Sequence, residues 1–147
     1  MSRVQVKTEI HAPIERVWEV VMDPNRLKEW VTIHRSVKNV PANPLQQGST
    51  MDQVLNLRGV PFRVHWTLAE VSPPHHARWE GNGPAHSNAR IRYQLFGDDH
   101  ATLFEYTNEF TAPGGRLGNV AGKVIVGGVS EREAQSSLSR LKALLEA

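Results

Sequence analysis

Histidine and serine are residue types that could bind a metal ion or act as a nucleophile, but their spacing in this sequence favours neither a metal site nor a nucleophile. His75 and His76 are neighbours, and adjacent side chains on an extended chain point to opposite faces. His86 follows beyond a Gly-Pro turn, and no two histidines have the i, i+4 spacing of helical metal ligands. No serine lies in a Gly-x-Ser-x-Gly sequence. The sequence therefore predicts no metal ion and no other cofactor.

Three side chains remain as candidates for acid–base chemistry. Tyr93 and Tyr106 could donate a proton to a bound substrate, and His34 could accept one near its ordinary pKa of about 6.5. The glycine-rich stretch 114–118 could bind an anion at the start of a helix, but it lacks the Gly-x-Gly-x-x-Gly pattern of nucleotide sites. These features identify no reaction, so the sequence leaves open whether the protein is an enzyme.

Binding of a small molecule is better supported, because several polar residues interrupt otherwise apolar faces of the predicted strands. Alternation along these strands places one set of side chains on a common face. The candidate ligand-binding residues on that face are Gln53, Leu55, Phe62, Trp66, Trp79, Tyr93, Phe104, Tyr106 and Asn108. Gln53 and Asn108 have no obvious partners there, and a ligand or a trapped water could supply them. The alternative is that these side chains simply fill the protein core.

The spacing of hydrophobic residues along the chain predicts the strands and helices that position these residues. Residues 4–11 alternate as a strand, and Pro13 and Pro24 then begin two short amphipathic helices. Between Ile33 and Phe110, turn signals every 10–15 residues separate about six strands, which favours an antiparallel meander. Residues 116–146 have helical periodicity, with a kink or close packing expected at the glycine pair 127–128. This order predicts an α+β fold with one long C-terminal helix.

Because that helix is too narrow to cover six or seven strands, a cavity between the helix and the curved sheet is expected. Its candidate lining residues on the helix are Leu117, Ala121 and Val124.

The composition of the chain excludes several classes of protein. A chain of 147 residues, with 39% hydrophobic and 22% charged residues, predicts a single domain spanning 1–147. The absence of cysteine excludes disulfides and thiol nucleophiles, and together with the missing signal-peptide pattern it favours the cytoplasm. No apolar run is long enough to span a membrane, and scattered basic residues with a net charge of +2 argue against a nucleic-acid partner.

Several segments of the chain resemble a known superfamily. The segments 6–18 and 22–30, together with the turn at Gly48, resemble the START-related, Bet v 1-like (SRPBCC) helix-grip superfamily, of the polyketide cyclase/dehydrase and lipid transport type. The resemblance implies a curved antiparallel sheet of six to seven strands around a long C-terminal helix, with two short helices after the first strand. More narrowly, the segments 29–34 and 58–61 resemble an actinobacterial family of type II toxin–antitoxin toxins.

Three functions are compatible with this resemblance. The leading hypothesis is binding of a small hydrophobic ligand, lipid or polyketide-like, in the cavity between the sheet and the C-terminal helix. One alternative is a polyketide cyclase or dehydratase that uses the same cavity. The other is a toxin that is neutralised by a small antitoxin protein.

Overall fold

The protein is built on an antiparallel sheet with short helices at one end. The structure is a computed structural model that describes residues 2–111 and 129–147. The strands are β1 (Ser2–Ile10), β2 (His34–Lys38), β3 (Thr50–Leu57), β4 (Val60–Ser72), β5 (His76–Asn82), β6 (Asn88–Gly97) and β7 (Thr102–Thr111). Their order in the sheet is β1-β7-β6-β5-β4-β3-β2, and every pair is antiparallel. The predicted meander is confirmed, and the first strand lies at one edge of the sheet.

Two short helices follow β1, as the sequence indicates. Helix α1 spans Ile14–Val21 and α2 spans Leu27–Trp30, with a 3₁₀ turn at Pro24–Arg26 between them. The side chain of Asp23 accepts a hydrogen bond from the backbone N–H of Asn25 at 3.0 Å, and thereby caps the turn. Proline in the first turn is compatible with this start because its missing N–H has no helical partner to lose.

Strand alternation places the large apolar side chains on the inner face of the sheet. On β4, the four alternate residues Phe62, Val64, Trp66 and Leu68 are all buried. Trp66 is 1% exposed, so its ring faces inward, as the alternation along this strand predicts. A register shift follows Leu68 and bends this long strand.

The C-terminal helix α3 spans Glu131–Glu146 and is shorter than the helix predicted over 116–146. Ser130 has an extended backbone, and its hydroxyl accepts a hydrogen bond from the backbone N–H of Glu133 at 3.1 Å. This is an N-cap, at which a helix begins, so the prediction of one helix that runs through Ser130 is wrong. Ser130 lies two residues beyond the glycine pair 127–128, and residues 112–128, which include that pair and the rest of the predicted helix, lie outside the described residues.

Helix α3 packs against β1 and α2. Its buried face comprises Ala134, Ser137, Leu138, Leu141 and Leu145. The Ser137 hydroxyl accepts a hydrogen bond from the backbone N–H of Thr32 at 3.0 Å. At the other end, Lys142 Nζ donates to the carbonyl of Glu9 at 2.7 Å, which joins the helix to the β1 edge. The described helix therefore covers the β1 side of the sheet. No helix among the described residues is long and apolar enough to cross a membrane.

Candidate ligand-binding site

A small cavity lies between the inner face of the sheet and the segment that carries α1 and α2. Its volume is about 50 Å³. The described residues that line it are Val21, Met22, Pro24, Leu27, Val31, Ile33, Met51, Gln53, Leu55, Trp66, Trp79, Ile91, Tyr93, Tyr106 and Asn108. Strands β3 to β7 form one side of the cavity, and the two short helices with their connections form the other.

Seven of the candidate residues from the sequence lie together around this cavity. They are Gln53, Leu55, Trp66, Trp79, Tyr93, Tyr106 and Asn108. Phe62 is buried elsewhere, against Phe110, with ring centroids 5.7 Å apart. Phe104 is fully buried and packs behind the cavity between Trp30 and Tyr93. The three helix candidates Leu117, Ala121 and Val124 lie outside the described residues, and a ligand contact at any of the twelve positions stays a prediction.

The residues that close the cavity from the helix side are not among the candidates predicted from the sequence. Val21, Met22, Leu27 and Val31 belong to α1, α2 and their connections, whose helical spacing indicates a buried face. That spacing could have identified these residues as core. It could not show that this face meets the middle of the sheet, because the packing of helix on sheet involves contacts distant in sequence.

Gln53 is the centre of a chain of hydrogen bonds beside the cavity. Its Oε1 accepts a hydrogen bond from Trp66 Nε1 at 2.8 Å, and its Nε2 lies 2.8 Å from His34 Nδ1. An indole N–H can only donate, so the amide oxygen of Gln53 must face Trp66 and its NH₂ group must face His34. His34 Nδ1 therefore accepts, and the imidazole is neutral with its proton on Nε2.

The environment of His34 favours this neutral form. Burial lowers the pKa of His34 below its ordinary value, and the positive charge of Lys28 lowers it further. The expectation that His34 is a base near its ordinary pKa is therefore wrong. Its Nδ1 lone pair is also already engaged by Gln53, and only Nε2–H remains to contact another group.

Asn108 and Tyr106 form a second polar pair, on β7. Asn108 Nδ2 donates to the hydroxyl oxygen of Tyr106 at 2.9 Å. The prediction that Gln53 and Asn108 lack protein partners is therefore wrong, because cross-strand and same-strand neighbours supply them. Both residues can still form further hydrogen bonds, because among the described residues neither the Tyr106 O–H nor Asn108 Oδ1 has another partner.

Tyr93 places a third polar group near this pair. Its ring lies 6.0 Å from the Tyr106 ring between centroids, and the described part of the chain offers its hydroxyl no hydrogen-bond partner. Burial raises the pKa of Tyr93 well above its usual range and raises that of Tyr106 to about 12, although the hydrogen bond from Asn108 partly offsets the latter shift. Both hydroxyls therefore stay protonated near neutral pH and act as hydrogen-bond donors.

The resulting site is an apolar and aromatic cavity with a few convergent polar groups, which is the usual composition of a small-molecule site. It offers two phenolic donors and one amide acceptor to a ligand. Within residues 2–111 and 129–147, no group of three or more histidine, aspartate or glutamate side chains is placed to hold a metal ion.

Known proteins resemble this chain along nearly its whole length. A family model described as polyketide cyclase/dehydrase and lipid transport matches residues 1–146. Toxin Rv0910 of Mycobacterium tuberculosis (strain ATCC 25618 / H37Rv) is 21% identical over 113 residues, which are 77% of this chain and 78% of that protein.

Solved structures share the fold at low sequence identity. Zhui aromatase/cyclase from Streptomyces sp. R1128 matches with a TM-score of 0.73 at 15% identity, over 98% of this chain and 93% of that one. A START superfamily protein from Mycobacterium smegmatis matches with a TM-score of 0.68 at 15% identity, over 98% of this chain and 99% of that one. These two structures share the fold of this chain. Because the family model matches almost every residue, the chain belongs to the polyketide cyclase/dehydrase and lipid transport family.

Proposed function

We propose that the protein binds a small, mainly apolar molecule in the cavity beneath α1 and α2. The observation that carries this proposal is the combination of aromatic walls with three polar groups of unused hydrogen-bonding capacity, on Tyr93, Tyr106 and Asn108. A buried polar group without a partner costs about 1–3 kcal/mol, and a ligand that supplies the partner recovers that free energy. The preferred ligand is therefore a flat apolar body with a hydroxyl or carbonyl group at one end.

The cavity volume limits the size of such a ligand. A volume of about 50 Å³ is well below the roughly 300–1,000 Å³ of sites for drug-sized molecules. In the described conformation, the site accommodates only a small ring or a few waters. A larger ligand, such as a two-ring molecule, a lipid or a polyketide chain, therefore binds only as the walls of the cavity move apart.

Fluorescence titration with 2-naphthol tests the proposal, with naphthalene as the matched probe that lacks the hydroxyl. We expect saturable binding of 2-naphthol, and binding of naphthalene that is weaker by about 2–10-fold, the equivalent of one hydrogen bond. Substituting Tyr106→Phe should remove this difference between the probes. Equal affinity of both probes for the wild-type protein would contradict the proposed role of the polar groups.

A steric block provides the second arm of the test. Leu55 lines the cavity, and Leu55→Trp should fill it and abolish binding. Leu103 on β7 faces the other side of the sheet, beside the exposed residues Glu9 and Phe96, so Leu103→Trp is a matched control that should bind normally. Circular dichroism checks that both variants fold. Binding that survives Leu55→Trp would place the ligand elsewhere.

Native mass spectrometry of the purified protein complements the titration, because a co-purified metabolite identifies the natural ligand class. A polyketide-like compound recovered chemically altered after incubation would instead indicate a cyclase or dehydratase that uses the same cavity.

A second candidate function is growth inhibition with neutralisation by a small antitoxin. The similarity to Toxin Rv0910, at 21% identity over 113 residues, favours it. Inducible expression in a bacterial host should then arrest growth. Expression of Leu55→Trp in parallel determines whether the arrest depends on the cavity: arrest by the wild type alone connects toxicity to ligand binding, and normal growth with both contradicts the toxin function.

A further inference from the structure

A groove on the outer face of the sheet is lined by basic residues from two strands, and among its described lining residues only Gln53 also lines the cavity. It has a volume of about 720 Å³ and lies across β2, β3 and β4 near the β2 edge. Arg35 and Lys38 contribute from β2, and Arg63 contributes from β4. All three side chains belong to exposed residues.

The three cations of this basic groove form no ion pair with any described residue. None of Arg35, Lys38 and Arg63 has an ion pair or hydrogen-bond partner in the described part of the chain. The carboxylate in the groove, Asp52, is already engaged, because His65 Nδ1 donates to it at 2.7 Å and Asn39 Nδ2 at 2.7 Å. These two hydrogen bonds lower the pKa of Asp52, so it stays ionised and committed to its present partners.

Strand β2 adds a second feature, a backbone edge with which no other described strand pairs. It is the last strand of the sheet and pairs with β3 alone among the described strands. The outer edge of such a strand presents N–H and C=O groups that an extended peptide can pair with. On an added strand, alternate side chains would lie about 7 Å apart on the same face as Lys38 and Arg63.

We propose that β2 and the basic groove together bind an extended acidic segment of a partner protein, which adds as a further strand with carboxylates at alternate positions. This inference goes beyond the cavity function and does not rest on it. Backbone pairing supplies the orientation, and the unpaired cations select glutamate or aspartate side chains.

Other anionic partners fit the groove less well. Proteins that bind single-stranded nucleic acid combine basic residues with aromatic stacking platforms, and no Phe, Tyr or Trp is among the described residues that line the groove. An anionic membrane surface requires apolar anchors beside the basic residues, and the two exposed large hydrophobic residues of the described chain, Val60 and Phe96, do not line it.

Fluorescence anisotropy with a labelled peptide of alternating Glu and Val tests this inference, with a Gln–Val peptide as the uncharged match. We expect saturable binding of the acidic peptide alone, and slower hydrogen exchange of the β2 backbone in the complex. The double substitution Lys38→Glu with Arg63→Glu should weaken binding by about tenfold or more. The double variant Lys38→Gln with Arg63→Gln removes the charges without reversing them and should also weaken binding of the acidic peptide. It replaces the first variant if the reversed charges prevent folding.

The matched control makes the same change of net charge at the other edge of the sheet. Arg3→Glu with Lys7→Glu alters exposed cations of β1 and should change the affinity by less than about twofold. Equal weakening by both pairs would overturn the proposal, since the net charge alone would then explain binding. So would unchanged exchange in β2, or tighter binding of oligothymidylate or phosphatidylglycerol vesicles than of the acidic peptide.

Discussion

At the scale of single residues, Gln53 is the position where one substitution removes two hydrogen bonds from the interior. We expect Gln53→Leu to lower the free energy of unfolding by about 1–3 kcal/mol, because the buried Trp66 N–H loses its acceptor and the volume scarcely changes. Gln47→Leu, at an exposed position, should change it by less than about 0.5 kcal/mol. Urea unfolding measures both variants. Equal midpoints for the two would mean that the hydrogen bonds of Gln53 contribute nothing.

His34 makes stability depend on pH in a defined direction. Its pKa is lowered in the folded protein, so below the ordinary value of about 6.5 the unfolded chain binds more protons than the folded one. The contribution of His34 to stability is therefore complete above that pH and is lost as the pH falls through the folded value.

We expect the free energy of unfolding to fall between about pH 7 and pH 5, and to fall less steeply in His34→Gln. The exposed His100 provides the comparison, since His100→Gln should retain the wild-type slope. Identical pH profiles for His34→Gln and the wild type would contradict this account.

At the scale of elements, the contact of β5 with β4 depends on a residue without a side chain. A Cβ at Gly81 would lie 2.5 Å from Val64 Cγ1 and 2.7 Å from the ring of the buried Trp66. Gly81→Ala should therefore lower the free energy of unfolding by about 1–3 kcal/mol, as in other overpacked cores. Asn82→Ala, at the exposed next position, is the control and should be nearly neutral. An unchanged denaturation midpoint for Gly81→Ala would show that the two strands can separate without cost.

The start of α3 depends on the side chain of a single residue, Ser130. Ser130→Ala removes the N-cap hydrogen bond to the N–H of Glu133 and should cost about 0.5–2 kcal/mol. Ser139→Ala, at an exposed position inside the helix, should be neutral or slightly stabilising, because alanine is the better helix former. Thermal unfolding followed by circular dichroism compares the two, and a larger loss for Ser139→Ala would contradict the assigned helix start.

At the scale of the whole molecule, ligand binding and stability are linked. If 2-naphthol binds the folded protein alone, a concentration of 100 times its dissociation constant should raise the free energy of unfolding by about 2.7 kcal/mol. The control Leu103→Trp should keep this increase, whereas Leu55→Trp should lose it. An increase in Leu55→Trp as large as in the wild type would indicate binding outside the cavity.

The sequence alone is sufficient to predict most of this architecture. Alternation along β1, β4 and β7 depends only on neighbouring residues, so it predicts which side chains face inward. The hydrogen-bond partners of Gln53 and Asn108 are harder to predict from the sequence. The bond between Gln53 and Trp66, for example, can be predicted only if the register of β3 with β4 is known. The start of the C-terminal helix at Ser130 is a local signal that the apolar periodicity of the sequence obscures.

The unpaired edge of β2 also has a consequence for the behaviour of the protein at high concentration. An exposed strand edge is a template on which another copy of the same chain can pair, and such pairing leads to aggregation. A second β2 brought against the first would bring its own Arg35 and Lys38 close to the same residues, and like charges would repel. The basic edge therefore opposes self-assembly, and neutralising it would impair solubility before it impaired folding.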